Sequence, residues 1–321
     1  MPKSMPSIPK ITIKVPGTSA NLGPGFDLMG MALKIYNQFE FQFPSQANFQ
    51  STNHKGESLP FAPEDDLVQV AYQSYFRAFL PEVEIPKYVC KMWIGLPLKG
   101  GLGSSASAIV AGLSLARRVH TLAFSNERQI TDSEFLQFLA EWEGHPDNTL
   151  PAYLGGFVFA TSCQGEPLRY FRKKFPASIA LFLLTPEYTV STEESRKTLP
   201  GLYPTKDVIF NLSRLGSWLY FLEKRRFSDL KNALQDKLHT PYRITESSPL
   251  FQITEKLDPH KFGHCLSGSG PSLLIFTERK NADKYKSILE NLIAEEFKKQ
   301  NIPYQFKRIQ TDHLGTIIKQ S

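Results

Sequence analysis

The sequence predicts an α/β or α+β protein in two domains. Three observations carry that expectation. Strand-like and helix-like segments alternate irregularly along 321 residues, a length suited to two domains. A glycine-rich turn at 97–107 leads from a strand-like run into a long apolar helical pattern. A polar, charged bridge from Gln164 to Lys174 offers a boundary, which divides the chain into an N-terminal domain, 1–165, and a C-terminal domain, 166–321.

Taken in order, Ile11 to Val15 alternate as a strand. Pro16 to Asp27 is too rich in Gly, Pro and Asn for a regular element, and reads as a loop with many free backbone groups. Ile35 to Phe43 is strand-like. Asp66 to Leu80 has helical spacing, with Leu67, Val70, Ala71 and Phe79 apolar, and Pro81 ends it. Tyr88 to Ile94 is a strand. Past the glycine turn, Ile109, Val110, Leu113 and Ala116 mark a helix face. A further helix, capped by Ser133, puts Phe135, Leu139 and Trp142 on one face and stops at Gly144. Glu143 then falls on its last turn, where a negative charge opposes the helix dipole. Either it is an accident or its charge is needed locally. Gly156 to Ala160, Ile179 to Thr185 and Ser272 to Phe276 are strands, and helices are expected near 207–236 and 281–300.

Composition narrows the functional classes. Hydrophobic residues make up 41% and charged residues 21%, as in ordinary soluble proteins. No apolar run approaches the ~20 residues that span a bilayer. Met1 to Lys10 is rich in Pro and Ser and lacks the apolar core of a signal peptide, so a cytoplasmic location is expected. Cys90, Cys163 and Cys265 lie far apart without zinc-site spacing, and read as buried, inert thiols. The net charge of +6 is spread out, with small clusters at Arg172–Lys174 and Lys224–Arg226. That pattern suits a solvated surface with mild attraction for anionic metabolites better than a nucleic-acid face.

The glycine turn reads Pro97-Leu98-Lys99-Gly100-Gly101-Leu102-Gly103-Ser104-Ser105-Ala106-Ser107. Small residues let backbone amides approach a ligand, and a helix start adds unpaired N–H groups and a positive dipole end. Together they make an anion cradle, most often for phosphate. A Walker-type loop is excluded because no lysine precedes Ser104. Gly101-x-Gly103-x-x-Ala106 matches a minimal dinucleotide fingerprint, but 121–131 is polar and turn-like where an acid should close a second strand. A merely tight turn would not need this many glycines beside two serines. A kinase loop remains, with serine hydroxyls at magnesium and a carboxylate supplied from elsewhere. Asp27, Glu143 and Asp147 are the acids beside loops, the last two flanking His145.

Three segments resemble the motifs of the GHMP small-molecule kinases: Pro-Gly-Thr-Ser-Ala-Asn-Leu-Gly-Pro-Gly-Phe-Asp (16–27), the 97–107 turn, and Leu-Ser-Gly-Ser-Gly-Pro-Ser (266–272). They occur in the right order and span most of the chain. Within that superfamily, the first motif and Glu-Gly-His-Pro-Asp-Asn (143–148) resemble the homoserine kinases. So do Val-Ser-Thr-x-x-Ser-Arg-x-x-Leu-Pro (190–200) and Pro-Tyr-Arg (241–243). The departures are Gly17, where the family usually has alanine, and a short spacing between Glu143 and His145.

The resemblance implies an α+β, two-domain GHMP kinase fold. Its N-terminal part would resemble the second domain of ribosomal protein S5, with an uncommon left-handed βαβ crossover. Its C-terminal part would be ferredoxin-like, with ATP between the two. The implied reaction is ATP-dependent phosphorylation of the L-homoserine side-chain hydroxyl in threonine biosynthesis. Mg2+ would be the cofactor, and a homodimer without nucleic-acid or membrane partners the assembly. Residues Pro97 to Ser107 would hold ATP, and Ser105 (or Ser104) with Glu143 would hold magnesium. Arg196 and Arg243 would clamp the acceptor carboxylate. Asn21, Asp27, His145 and Asn148 would orient its amino and hydroxyl groups. Asp27, Glu143 and Asn148 are the catalytic candidates, and Gly268, Ser269 and Gly270 would pack against the ATP loop. The alternatives are a mevalonate- or sugar-type kinase of the same superfamily, or a non-catalytic nucleotide-binding regulator.

Overall fold

The computed structural model describes residues 7–161 and 166–321. Strands β1 (Ile11–Ala20) and β2 (Met29–Gln42) pair antiparallel, with a register shift between Pro16 and Gly17. The strand therefore runs through residues that composition assigns to a loop. The bulge accommodates Pro16, which cannot donate to the ladder, and pairing then resumes from Gly17 to Ala20. Only the stretch after Ala20 is loop.

Strand β3 (Gln50–Asn53) lies parallel to β4 (Val89–Ile94), and helix α1 (Leu67–Phe79) connects them. Asp66 starts α1 by accepting the amides of Val68 and Gln69. Helix α2 (Ser104–Ala123) follows the glycine turn. Helix α3 (Asp132–Trp142) is capped by Thr131 and not by Ser133, because Thr131 and Glu134 complete a reciprocal capping box. Glu143 is the residue that ends α3. Helix α4 (Pro146–Leu154) was not foreseen, since two prolines interrupt its pattern. Pro146 sits at the start, where no amide is needed, and Pro151 lies inside the helix.

Strands β5 (Phe157–Thr161) and β6 (Arg169–Lys173) form an antiparallel pair. The bridge expected at 164–174 thus contains a strand of the first sheet. All five β6 residues are exposed, so no hydrophobic alternation marks it. Cys163 and the 165/166 division lie outside the described residues.

The second half contains β7 (Ile179–Pro186), α5 (Thr192–Lys197), α6 (Thr205–Lys224), α7 (Phe227–Ala233), α8 (Thr240–Arg243) and α9 (Phe251–Lys256). It continues through β8 (Gly263–Leu266), β9 (Leu273–Glu278), α10 (Ala282–Gln300), β10 (Tyr304–Ile309) and β11 (Ile317–Gln320). The single helix expected near 207–236 is broken at Arg225, whose φ of 58° is left-handed and ends α6.

Strands β10-β7-β9-β8 form a four-stranded sheet with every neighbour antiparallel. Counted in chain order this is 4-1-3-2 with helices between, the ferredoxin-like arrangement. The other sheet has seven strands, with β11-β1-β2-β4-β3 in order and β5 and β6 branching from β2. Strand β7 is buried along its whole length, and its alternate faces join different cores. Phe182 and Leu184 pack with residues of α9 and α10, while Leu181 and Leu183 pack with Leu22, Leu96 and Leu102 of the first half. This second contact joins the two halves at the glycine turn. Burying Leu102 contributes roughly 1.5–3 kcal/mol there.

Cys90 and Cys265 are buried, and burial pushes both thiols well above their ordinary range, which keeps them neutral. Among the described residues, no helix is long and apolar enough to cross a membrane.

Candidate active site

The glycine turn is held on two sides. The Thr18 amide of β1 donates to the Leu102 carbonyl at 3.0 Å, and the Ser267 hydroxyl donates to the Gly101 carbonyl at 2.6 Å. Gly101 and Gly103 have φ of 72° and 68°. A Cβ on Gly101 would sit 2.4 Å from the Ser267 carbonyl oxygen, and one on Gly103 2.0 Å from Thr18 Oγ1. Both positions therefore require glycine by conformation and by space. The Ser107 amide makes the first bond back to Gly103. The preceding amides of α2 lack such partners and face the cleft at the positive end of a 20-residue helix.

The loop after β1 supplies the opposite wall. Asn21, Leu22 and Asp27 have φ of 70°, 47° and 59°. Asn21 Oδ1 accepts the Asp27 amide at 3.1 Å, and its Nδ2 donates to the Gly268 carbonyl at 3.0 Å. Arg196, on α5, donates Nη1 and Nη2 to the two Asp27 carboxylate oxygens at 3.0 and 2.6 Å. Arg243, on α8, donates Nη1 to the same Gly268 carbonyl at 3.0 Å. The Phe26 ring lies 5.3 Å from the Arg196 guanidinium and 5.4 Å from that of Arg243, within cation–π range of both. Arg243 Nε is buried without a partner.

The start of α4 makes the third wall. Gly30 of β2 lets it approach, since a Cβ there would lie 1.8 Å from the Asp147 carbonyl oxygen. Asn148 Oδ1 accepts the Thr18 hydroxyl at 2.7 Å. His145 Nδ1 is 2.9 Å from Asp147 Oδ1. Burial depresses the His145 imidazole, but the bond and charge of Asp147, aided by Glu143 and Asp27, outweigh it and lift the group to about 9. His145 is therefore a cation at neutral pH and donates protons there rather than accepting them. Burial pushes the Glu143 carboxyl up to about 7, against the pull of His145. Glu143 Oε2 is buried with no hydrogen-bond partner.

These groups line one cleft of about 290 Å3. It brings together Asn21, Asp27, Glu143, His145, Asn148, Arg196 and Arg243 with Lys99 to Ala106, Gly268 and Ser269. Pro97, Leu98, Ser107 and Gly270 lie outside it. The Ser107 hydroxyl is turned inward, accepting from Asn37 Nδ2 at 2.8 Å and donating to the Ser104 carbonyl at 2.7 Å. Leu98 instead lines an adjoining cavity with Phe39, Phe61 and Met92, which shares Lys99, Ser104 and Ser105 with the main cleft. Phe26 was not singled out from the sequence, although it stands within the first motif.

Two places in the cleft offer carboxylate oxygen to a cation. Asp27, His145 and Asp147 bring ligand atoms within 4.8 Å of one another. However, both Asp27 oxygens are engaged by Arg196, and Asp147 Oδ1 is engaged by His145 and Asn148. Glu143 has the unengaged, buried oxygen, and it lines the same cleft as Ser105.

Residues 66–156 match the family model of the GHMP kinases N terminal domain. A homoserine kinase of Trichormus variabilis is 36% identical over 283 residues, covering 87% of this chain and 90% of that protein. The chain belongs to the homoserine kinase family. Another member, from Persephonella marina, is 31% identical over 319 residues, covering 95% of this chain and 97% of its own. The crystal structure of a homoserine kinase from Cytophaga hutchinsonii has the same fold, with a TM-score of 0.77. That likeness covers 97% of this chain and 98% of the other at 23% identity.

Proposed function

We propose that this protein transfers the γ-phosphoryl group of ATP to the side-chain hydroxyl of L-homoserine, as a kinase of threonine biosynthesis. One observation carries the proposal: a single cleft joins a helix-start anion cradle to two arginines, one with a buried, unpartnered Nε. The cradle suits a triphosphate. The arginine end suits an acceptor bearing a carboxylate. Asp27 and Asn21 beside it suit an ammonium group, which separates homoserine from mevalonate and from sugars.

In this scheme the amides at 100–106 hold the phosphates, and the adjoining cavity behind Leu98 takes the base. Arg243 is the principal clamp on the acceptor carboxylate. Arg196, already engaged by Asp27, adds charge and fixes that carboxylate for the acceptor ammonium. Asn148 and the His145 imidazolium orient the hydroxyl. Its oxygen forms the new bond to the γ-phosphorus as the bond to the β-phosphate oxygen breaks, and its proton passes to an oxygen of the transferred phosphoryl group. Such transfer rests chiefly on positioning and charge neutralisation.

The residues fit magnesium: Glu143 supplies an unpartnered oxygen and Ser105 a hydroxyl, both hard donors. Held by these two residues, magnesium would supply charge neutralisation at the phosphates. Because the Glu143 carboxyl sits at about 7, it must lose a proton to bind metal at lower pH. Apparent Mg2+ affinity is expected to weaken by about tenfold per pH unit below neutrality and to level off above it. Calorimetric Mg2+ titrations from pH 6 to 8 would show this. A flat profile would remove Glu143 from the metal site.

A panel of hydroxyl acceptors tests the substrate, with Arg243→Ala as the informative variant. Homoserine is expected to be the preferred acceptor over mevalonate and galactose. Arg243→Ala is expected to raise KM for homoserine by roughly 10- to 100-fold, the loss of about 1.5–3 kcal/mol of charged hydrogen bonding, with little change for ATP. Equal changes in both constants would argue against the clamp. The proposed enzyme is a cytoplasmic homodimer whose two halves divide after β6. Its exposed apolar stripe on α6, with Ile209, Leu212, Leu219 and Tyr220, supplies a surface that a second copy can cover.

A further inference from the structure

His239 stands just before α8, in the layer behind the cleft, and its side chain is fully buried. Its ring touches both halves of the acceptor site. Nε2 lies 2.8 Å from the Gly23 carbonyl oxygen, in the loop that carries Asn21, Phe26 and Asp27. Nδ1 lies 3.4 Å from Arg243 Nη1. The partners fix the tautomer. A carbonyl only accepts and a guanidinium only donates, so Nε2 carries the hydrogen and Nδ1 is bare. The ring face packs on Phe26, with centroids 5.4 Å apart. Phe26 in turn lies beside both guanidiniums.

The ring is itself held. Asp236, with its side chain buried, accepts the amides of Leu238, His239 and Thr240 and the side-chain amide of Asn211. That network fixes the turn between α7 and α8. Gly23 is pressed onto the end of α7, where a Cβ would lie 2.3 Å from the Leu234 carbonyl oxygen. Neither His239 nor Asp236 lines the cleft.

We propose that His239 is a positioning residue of the acceptor site, tying the 21–27 loop to Arg243 so that the two ends of the acceptor are gripped at a fixed separation. The inference rests on the homoserine reading for its kinetic consequence, but not for its structural one. One bond reaches the loop that places Asp27 and the other reaches the clamp, so a loss at either end loosens the same substrate. The phosphate loop is tied elsewhere, by Thr18 and Ser267, and is left alone.

The test uses three variants of the full chain. His239→Leu removes both bonds and the 3.3 Å contact of Nε2 with Asp236 Oδ2. His239→Gln keeps a donor at the Nε2 position, and His239→Asn keeps an acceptor at the Nδ1 position. His239→Leu is expected to raise KM for homoserine by ~10- to 100-fold while KM for ATP stays within about twofold, since misplaced groups lose that order of rate. The Gln and Asn variants are expected to fall between Leu and wild type, and they stand in for Leu if it fails to fold. Amide hydrogen exchange is expected to quicken at 21–27 and to hold at 104–110. Equal rises in both KM values, or unchanged exchange at 21–27, would overturn the proposal. If the wild type does not phosphorylate homoserine, the functional reading falls. Exchange at 21–27 against 104–110 then decides the brace alone.

Discussion

Glu143→Gln is expected to lower kcat by on the order of a hundred- to a thousandfold and to abolish tight Mg2+ binding while leaving the fold intact. The variant keeps an oxygen where Glu143 Oε2 lies buried without a partner, but removes the charge a cation needs. Stability should move in the opposite direction from activity. The folded carboxyl is raised to about 7 from an ordinary 4.5, so between those values the folded chain holds its proton more tightly than the unfolded one. Metal-free stability therefore falls as pH rises through that window, and Gln is spared the loss. At pH 8 without magnesium the variant should melt no lower than wild type. A variant that melts lower at pH 8, yet still binds magnesium, would show that Glu143 serves the fold.

Gly101→Ala carries the second large effect, through stability. The added Cβ would meet backbone on two sides, 2.4 Å from the Ser267 oxygen and 2.6 Å from the Gly270 oxygen. Neither neighbour is a side chain that can swing aside. Left-handed backbone costs an alanine about 1–2 kcal/mol, and overpacking about 1–3 more. The sum, roughly 2–5 kcal/mol, is a large share of a typical stability. Gly56→Ala is the control: its φ is +86°, but a Cβ there meets nothing within 4 Å. Urea unfolding should show Gly101→Ala as the costlier change by the overpacking part. Equal costs would mean that the third motif yields freely to the glycine turn.

What could be read from the chain was local. The cradle follows from consecutive small residues and a helix start, and α1 from its spacing and its terminating proline. The unread parts depend on distant partners. Pro16 to Ala20 becomes strand because β2 supplies a ladder beyond a bulge. Thr131 displaces Ser133 as cap because Glu134 reciprocates. Strand β6 has no apolar face to announce it. Within the site, the residue types were legible but their pairings were not. Arg196 and Asp27 stand 169 positions apart, and nothing near either marks their bidentate pair. Nothing in the sequence marks His239, whose partner Gly23 stands 216 positions away.

Strand β11 pairs with β1, setting Ile317–Gln320 against Ile11–Lys14. During synthesis the outer edge of β1 has no partner until residue 317 has emerged from the ribosome. An unpaired strand edge is a template for pairing with other chains, and contacts so distant in sequence form slowly. Once β11 pairs, it becomes the edge itself, a strand of only four residues, so the longer β1 edge is a hazard chiefly in the nascent chain. Strand β1 also bears Thr18, whose amide holds the glycine turn. The arrival of β11 therefore secures the strand on which that turn hangs.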